Sequence, residues 1–363
     1  MKRLFGLIPL IILSSLLIGG WNNPEAQGDT RGSPSSAYHP QPSKRLERVA
    51  IIYDDDGSPD GTLANLYLLA NPEADLKVIS ISYGEATPST YIQHIGNMLE
   101  VFGIKGIDLG NGDNAPLAGN NSFPVWITEM ADNFWNMYDL NFIPDLGHSY
   151  TSTPAADLII STVHSSPEPI TLFFAGAYTS LAQALRDDPS IRENIEAVYL
   201  MGGAVYVPGN IRELIPNSHN VWAEWNIYAD PVAAEEVFNS GMELYLVPLD
   251  ATNLVRVDGW DTHHWRQGGQ IGDLAADLWD SMLAAWGGEG VMWDATAAIL
   301  MMEPELCDFV PLRLGVVTED GTISAHSGQT YVIPNARPNI SVCLEPDADE
   351  VRRHLIDIFT HSN

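Results

Sequence analysis

Four aspartates crowd one short turn, which directly follows an apolar strand and runs into an apolar helix. The segment reads Val49-Ala-Ile-Ile-Tyr-Asp-Asp-Asp-Gly-Ser-Pro-Asp-Gly-Thr-Leu-Ala64, with carboxylates at positions 54, 55, 56 and 60. Like charges this close raise one another's pKa unless a positive group neutralises them, and no Lys or Arg lies between Arg48 and Lys77. Carboxylate oxygens favour Ca²⁺ or Mg²⁺. The pattern therefore predicts a metal and catalytic centre, and the flanking apolar segments argue against a solvated acidic loop.

The elements that must position this turn alternate along the chain between strand and helix patterns. Apolar, β-branched runs predict strands at Val49–Tyr53, Leu76–Ser82, Ile170–Ala175, Ala197–Met201 and Leu244–Pro248. Helices with Pro in the first turn are predicted at Pro88–Phe102, Pro154–His164 and Pro231–Phe238, behind the capping residues Thr87, Thr153 and Asp230. This alternation predicts an α/β fold with a mostly parallel sheet flanked by helices. In such sheets ligands bind beyond the carboxyl ends of the strands, where the acidic turn would lie.

The first 45 residues differ in composition from the rest of the 363-residue chain. Residues 1–26 have the pattern of an export signal, because two basic residues precede an apolar run from Leu4 to Ile18. The same segment would act as an N-terminal anchor if it stayed uncleaved. Residues 27–45 are rich in Ser, Pro and Gly and predict a flexible linker. We therefore expect one folded domain over residues 46–363.

The charge balance excludes several classes of partner. The formal net charge is −30, and the residues after position 45 carry 45 acidic against 12 basic side chains. Such a field repels nucleic acid and anionic lipid, so we expect no nucleic acid and no membrane contact beyond the N-terminal anchor. It suits an exported protein, periplasmic or extracellular. Export permits a disulfide between Cys307 and Cys343, and two free buried thiols are the alternative.

Six segments, in order over roughly residues 48–330, resemble segments of the inosine–uridine preferring nucleoside hydrolase family. The acidic turn resembles the family signature Asp-x-Asp-Pro-Gly-x-Asp-Asp, with Asp56 at its second Asp and Asp60 at its third. The other segments are Gly176-Ala-Tyr-Thr-Ser-Leu-Ala-Gln-Ala-Leu185, Met201-Gly-Gly-Ala-Val205, Ala223-Glu-Trp-Asn-Ile-Tyr-Ala-Asp-Pro231, Val247-Pro-Leu-Asp-Ala-Thr252 and Gly328-Gln-Thr330. One such segment would be a weak signal, whereas six in family order are a strong one.

The resemblance implies a fold and a reaction. The fold is a single Rossmann-like α/β domain, the nucleoside hydrolase fold, with a calcium ion at the carboxyl edge of the sheet. The reaction is hydrolysis of the N-glycosidic bond of ribonucleosides to ribose and free base, by a calcium-bound water that an Asp activates. The partner it implies is a small-molecule nucleoside, and we expect a homo-oligomer.

The resemblance also implies roles for individual residues. Asp56 is the general base and a calcium ligand, Thr179 gives its backbone carbonyl to the metal, and Asp294 adds a second carboxylate. The substrate-binding residues predicted on this basis are Asp60, Glu85, Met201, Asn210, Glu224, Trp225, Asn226 and Trp293. The carboxylates and amide among them suit ribose hydroxyls and a sugar that develops oxocarbenium character.

Three positions depart from the family pattern. The second Asp of the Asp-Asp pair, normally a calcium ligand, is Gly61, and we consider Asp55 or Glu85 as its replacement. Glu85 stands where the family usually has Asn. Trp293 stands where the family has the His that often protonates the leaving base, and an indole is no acid at neutral pH. His219 and Glu85 are the candidates for a replacement acid.

Two other functions fit parts of the sequence. The acidic turn also resembles the first motif of haloacid-dehalogenase phosphatases, with Asp54 as nucleophile and Asp56 as acid. That chemistry needs a Lys for the phosphate, and neither Lys77 nor Lys105 has a fitting context.

The second alternative is a non-catalytic homologue of the same fold that binds a nucleoside or sugar. Gly61 and Trp293 favour this alternative. It is opposed by the intact Asp56, Asp60, Glu224, Asn226 and Asp294.

Overall fold

The structure is a computed structural model that describes residues 48–361 except Asn120, Ser122, Pro216 and Asn217. The predicted signal or anchor and the predicted linker lie outside the described residues. The strands are β1 Val49–Asp55, β2 Ala74–Ile81, β3 Asp108–Asn111, β4 Thr153–Pro154, β5 Ile170–Ala175, β6 Ile195–Met201, β7 Leu244–Val247, β8 Arg256–Asp258, β9 Glu289–Val291, β10 Cys307–Leu312, β11 Leu314–Val316, β12 Thr330–Val332 and β13 Ile340–Pro346.

Helices connect most of these strands. The α-helices are α1 Pro59–Ala70, α2 Pro88–Val101, α3 Val125–Asp132, α4 Ala155–Ser165, α5 Thr179–Asp187, α6 Ile211–Leu214, α7 Trp225–Ala229, α8 Pro231–Phe238, α9 Leu249–Thr252, α10 Gly259–Trp265, α11 Gly269–Trp286, α12 Trp293–Met302 and α13 Ala348–His361. Short 3₁₀ turns lie at Phe134–Asn136, Pro189–Asn194 and Pro304–Leu306. Within the described part of the chain, no helix is both long and apolar enough to cross a bilayer.

One nine-stranded sheet organises the domain, in the order β10-β13-β7-β6-β5-β1-β2-β3-β4. All neighbours in it are parallel except β10 and β13. The pairs β8–β9 and β11–β12 form two small antiparallel ribbons. These observations confirm the predicted α/β fold with a mostly parallel sheet. The chain leaves β1 in one direction toward β2 and returns on its other side at β5, so the strand order reverses at β1.

Strand β1 is buried on both faces of the sheet. Because side chains of a strand alternate between faces, Ile51 and Tyr53 pack into the core that contains α1 and α12, whereas Ile52 packs into the core that contains α5 and α8. A strand covered on both sides reads as a continuous apolar run. The two cores therefore fix β1 firmly, and the acidic turn begins where it ends.

The predicted bounds of the strands and helices agree with the structure more closely than the predicted capping residues do. Strand β5 and helix α8 have the predicted bounds, and Asp230 caps α8 by accepting a hydrogen bond from the Ala233 N–H. Helix α2 begins at Pro88 as predicted, but the Thr87 side chain makes no capping hydrogen bond. The prediction of Thr153 as a cap was wrong, because Thr153 pairs with Gly110 in the edge strand β4.

Cys307 and Cys343 form a disulfide between β10 and β13. Reduction is expected to lower the free energy of unfolding by about 2–4 kcal/mol, because the bond closes a loop whose ends are 36 residues apart. Urea unfolding with and without a phosphine reductant measures this difference. The Cys307→Ala/Cys343→Ala variant is the control and should not respond to the reductant. A wild-type midpoint that does not move on reduction would contradict the expectation.

Candidate active site at the carboxyl edge of the sheet

The carboxyl ends of β1, β2 and β5 meet where the strand order reverses. Asp55 lies opposite Ile81 of β2 and Ala175 of β5 in the ladder. The Ser82 N–H then donates to the Asp55 carbonyl at 2.7 Å, which continues the pairing beyond the last rungs. Ligands of open parallel sheets bind at such a reversal point. The fold therefore places the acidic turn at the expected position for a site.

Ser58 ties the acidic turn to a distant helix. It is the N-cap of α1, and its Oγ accepts a hydrogen bond from the Gly61 N–H at 2.8 Å. The same hydroxyl donates to Asp294 Oδ2 of α12 at 3.1 Å. Asp60 Oδ2 accepts a hydrogen bond from the Asp294 backbone N–H at 3.2 Å. Asp60 and Asp294, predicted as site residues from opposite ends of the domain, are therefore adjacent in the fold.

Asp56 is enclosed between the turns that follow β1 and β2. The Ala86 N–H donates to the Asp56 carbonyl at 2.9 Å. A Cβ atom on Gly84 would lie 2.3 Å from Asp56 Oδ2, so only glycine permits this approach. Asp56 is 1% exposed, and its Oδ2 accepts no hydrogen bond within the described structure. The buried Glu85 Oε2 is likewise without a donor. Both carboxylates thus keep an oxygen free for a ligand.

We call six carboxyl side chains the acidic group: Asp55, Asp56, Asp60, Glu85, Glu224 and Asp294. Burial raises the pKa of Glu224 to about 7, although three backbone N–H donors oppose the shift. Next to the group, burial raises the pKa of Asp54 to about 7 against hydrogen bonds from Ser80 and Ser82. Burial, and then repulsion by neighbouring carboxylates, raises the pKa well above the usual range for Asp55, Asp56, Glu85 and Asp294. The group therefore favours protonation or a bound cation.

The donor set of the acidic group fits a hard divalent cation. None of its members forms an ion pair with a Lys, Arg or His of residues 48–361, so far as these are described. Buried carboxylates need a counter-charge, and calcium takes oxygen ligands. As they stand, no three or more acidic, His or Cys side chains among the described residues are placed so that together they could hold a metal ion. The residues present therefore supply suitable ligands, and their side chains would adjust around the ion.

The predicted ribose-binding residues lie beyond β6 and at the start of α7. Glu224 caps α7, accepting from the N–H groups of Asn226 at 2.8 Å and Ile227 at 3.1 Å. It also accepts from the Gly203 N–H at 2.8 Å. The Asn226 amide donates to the Met201 carbonyl at 3.2 Å. These bonds bring the Met201 and Ala223 segments together, and Glu224 is close enough to Asp56 to raise its pKa.

The remaining predicted residues have different surroundings. Thr179 begins α5 just beyond β5, and its hydroxyl donates to Asp230 Oδ2 at 2.8 Å. Asn210 is at the N-cap position of α6, but its side chain makes no capping hydrogen bond. The Asn210 N–H donates to the Ala223 carbonyl at 3.1 Å, and the buried Asn210 Oδ1 has no donor. Trp225 is 4% exposed and stacks on Phe123 with 4.0 Å between ring centroids. These surroundings place Trp225 in the core that borders the site.

Trp293 and His219 occupy the places where an acid for the leaving base was considered. Trp293 is half-buried beside Asp294, and its indole N–H donates to Asn253 Oδ1 at 3.0 Å. It packs edge-to-face against Trp286 at 6.0 Å. His219 lines a cavity with Tyr228 and the 321–325 loop, which contains none of the acidic group. The Trp293 N–H is therefore already engaged, and His219 does not line the acidic group, so neither is placed to protonate a leaving base beside Asp56.

Sequence reasoning missed two residues that hold the acidic turn. Ser58 precedes Pro59, a pattern typical of a helix N-cap, so this signal was available. Trp135 carried no comparable signal. Its indole N–H donates to the Gly57 carbonyl at 2.8 Å, from a left-handed segment in which residues 134, 135 and 136 have φ of 50°, 51° and 62°. Such a run costs about 1 kcal/mol per residue, and the packing around it offsets that cost.

Comparisons with known proteins agree with this arrangement. The sequence profile of the family described as inosine-uridine preferring nucleoside hydrolase matches residues 51–353. The pyrimidine-specific ribonucleoside hydrolase RihA of Citrobacter koseri is 29% identical over 323 residues, which cover 85% of this chain and 96% of that protein.

Solved structures show the same fold. The inosine-uridine preferring nucleoside hydrolase of Bacillus anthracis superposes with a TM-score of 0.72 at 23% identity, over 86% of this chain and 99% of that one. The purine-preferring ribonucleoside hydrolase of Gardnerella vaginalis gives 0.71 at 24% identity, over 86% and 98%. The phosphatase alternative is not supported, because Lys77 pairs with Asp75 at 2.7 Å. The chain belongs to the inosine–uridine preferring nucleoside hydrolase family and is an enzyme that hydrolyses nucleosides.

Proposed function

We propose that the protein cleaves the N-glycosidic bond of ribonucleosides with Asp56 as the general base and calcium as its metal. The observation that carries this assignment is the free, buried Oδ2 of Asp56 at the junction of β1, β2 and β5. A general base must come within hydrogen-bond reach of the proton that it takes, and an oxygen that no protein donor occupies can do so. Asp54 is equally buried and its Oδ1 is also without a donor, but its Oδ2 accepts from Ser80 Oγ at 2.5 Å and Asp54 lies within β1, whereas Asp56 follows the end of the strand.

The residues that would hold the ion are Asp56, Asp294 and the backbone carbonyl of Thr179. When bound, calcium lowers the pKa of the attacking water and neutralises the acidic group. Asp56 accepts the proton that this water loses as its oxygen attacks the anomeric carbon. The bond between that carbon and the base nitrogen breaks, its electron pair leaves with the base, and the base takes a proton from solvent. The ribose becomes partly cationic on the way, which the nearby carboxylates stabilise.

The ribose would be held between the carboxylates of Asp60 and Glu224. Asp60 is fixed by the Asp294 backbone N–H, and Glu224 by three backbone N–H groups, so neither carboxylate has to be ordered on binding. Asn226 and Met201 are fixed to each other in the same way. The half-buried Trp293 next to Asp294 would stack on the base. This arrangement favours purine and pyrimidine ribonucleosides without selecting between them by hydrogen bonds.

A nucleoside panel tests the proposed reaction. We expect release of ribose from ribonucleosides, measured as reducing sugar with calcium present, and little release from the corresponding 2′-deoxyribonucleosides, because fixed carboxylates lose their hydroxyl partners. Free base measured by chromatography in the same samples serves as the mass balance. Nucleoside binding by calorimetry without any ribose release would instead support the non-catalytic alternative and refute the proposed reaction.

We also propose that the protein is exported and works as a homo-oligomer. The disulfide supports export, since such bonds persist in oxidising compartments. Fractionation of cells that produce the full chain would test the location, and light scattering would test the oligomer. Recovery of the folded protein from the cytoplasm, with Cys307 and Cys343 reduced, would contradict export.

A further inference from the structure

Asp55 occupies the space beside Gly61, where the family signature has an Asp. A Cβ atom built on Gly61 would lie 2.0 Å from Asp55 Oδ1 and 2.5 Å from its Cγ. No side chain at position 61 is compatible with the observed Asp55 carboxyl group. The carboxylate at position 55, which the family signature leaves unspecified, therefore takes the space of the carboxylate that is lost at 61.

The strand geometry explains how Asp55 reaches this space. Tyr53 and Asp55 point to the same face of β1, which is covered by α1. The Tyr53 hydroxyl donates to the Gly61 carbonyl at 2.8 Å, so the first turn of α1 lies directly against this face. Asp55 is two residues after Tyr53 and is the last residue of β1, at the end of the strand where the acidic group lies.

The Asp55 carboxyl group is held through one oxygen only. Its Oδ1 accepts from the Asp56 N–H at 2.7 Å and from the Gly57 N–H at 3.1 Å. Its Oδ2 is buried and accepts nothing within the described structure, and the residue is 0% exposed.

Asp55 lies close enough to Asp60 for repulsion between them to raise the pKa of Asp55, and repulsion by Asp55 also raises the pKa of Asp294. Asp54 also has a free buried oxygen, Oδ1, but it lies on the other face of β1. Asp55 combines a free buried oxygen with a position beside Asp60 and Asp294, which suits a ligand.

We propose that Asp55 supplies the metal carboxylate that the family signature places at position 61. This inference rests on the proposed metal dependence of the site, and it assigns a ligand that the family pattern does not contain. Glu85 also has a free oxygen, but it is not anchored by backbone donors as Asp55 is. The proposal therefore gives Asp55 the ligand role and leaves Glu85 beside the substrate.

Calcium binding to the chelator-treated full chain, measured by calorimetry with calcium chloride alone, tests the assignment without using activity. We expect Asp55→Asn to weaken calcium binding by on the order of a hundredfold. Asp54→Asn removes an equally buried charge from the same strand, on its other face, and is the matched control. It should stay within about threefold of wild type. Equal losses in the two variants would mean that total charge matters, and not the position of Asp55, which would overturn the proposal.

The proposed exchange is tested by removing the carboxylate at position 55 and restoring one at position 61. Asp55→Ala removes the carboxyl group that blocks position 61, so Asp55→Ala/Gly61→Asp should recover most of the calcium affinity that Asp55→Ala loses. Gly61→Asp alone should lower the melting temperature because of the clash with Asp55 Oδ1. Calcium loss in Glu85→Gln with wild-type affinity in Asp55→Asn would assign the ligand to Glu85 instead. Tight calcium binding without nucleoside hydrolysis would refute the proposed function and leave this assignment standing.

Discussion

Asp56→Asn is expected to lower kcat for nucleoside hydrolysis by on the order of a thousandfold or more, at saturating calcium. Asn keeps the size of the side chain but cannot take a proton from water, and each factor of ten in rate corresponds to about 1.4 kcal/mol of barrier. The fold should not suffer, because the substitution removes a buried charge whose pKa is raised by burial and by Glu85. Steady-state kinetics and melting temperature on the same preparation separate the two effects.

Asp54→Asn is the control for Asp56→Asn. Asp54 is as deeply buried as Asp56 and lies two residues before it, near the end of β1, but its Oδ2 is engaged by Ser80. We expect this variant to keep kcat within about tenfold of wild type. Near wild-type turnover in Asp56→Asn would show that another group is the base. Loss of activity in Asp54→Asn alone would point back to Asp54 as the reacting carboxylate.

Removal of calcium is expected to abolish hydrolysis and to destabilise the protein increasingly as the pH rises. In the folded, metal-free chain the pKa values of Asp54 and Glu224 are raised to about 7, whereas unfolded carboxyl groups titrate near pH 4. A raised folded pKa contributes stability that is fully present below about pH 4 and is lost as the pH rises through the folded value. The metal-free protein should therefore be less stable at pH 8 than at pH 5.

Calcium should reverse this loss because it neutralises the same carboxylates. We expect chelation to lower the melting temperature by on the order of 5–10 °C at pH 8 and by much less at pH 5. Melting curves with calcium chloride or with chelator, at both pH values, measure the difference. Magnesium in place of calcium tests the choice of ion. A calcium effect that is the same at both pH values would contradict the electrostatic explanation.

Much of the sheet could be predicted because its strands are buried on both faces. Such strands read as uninterrupted apolar runs, and β5 and β6 were recognised within two residues of their ends. The edge strand β4 could not be recognised, because two exposed residues carry no periodic signal. That strand takes Thr153, which would otherwise have been a reasonable helix cap.

The candidate site likewise contains residues with a clear local sequence signal and residues without one. The four aspartates of the acidic turn could be predicted as a cluster from the residues alone, since a strand and a helix enclose them, whereas the separate roles of Asp56 and Asp60 come only from the resemblance. Asp294 could be placed only by resemblance, because nothing local indicates that α12 packs onto that turn. The contact between Asp55 and Gly61 could not be foreseen at all, since it depends on the orientation of one side chain against the first turn of α1.

The hydrogen bonds from Ser58 and Asp60 to Asp294 span 236 and 234 residues of sequence. Contacts of such separation close large loops and form late in folding, after the local helices and strand pairs. The first carboxylates of the acidic group are synthesised long before the last one, so the emerging chain carries only an incomplete ligand set. If Asp294 is a metal ligand as proposed, metal binding would wait for the final docking of α12, and the order of synthesis itself would delay the active enzyme until the whole domain is present.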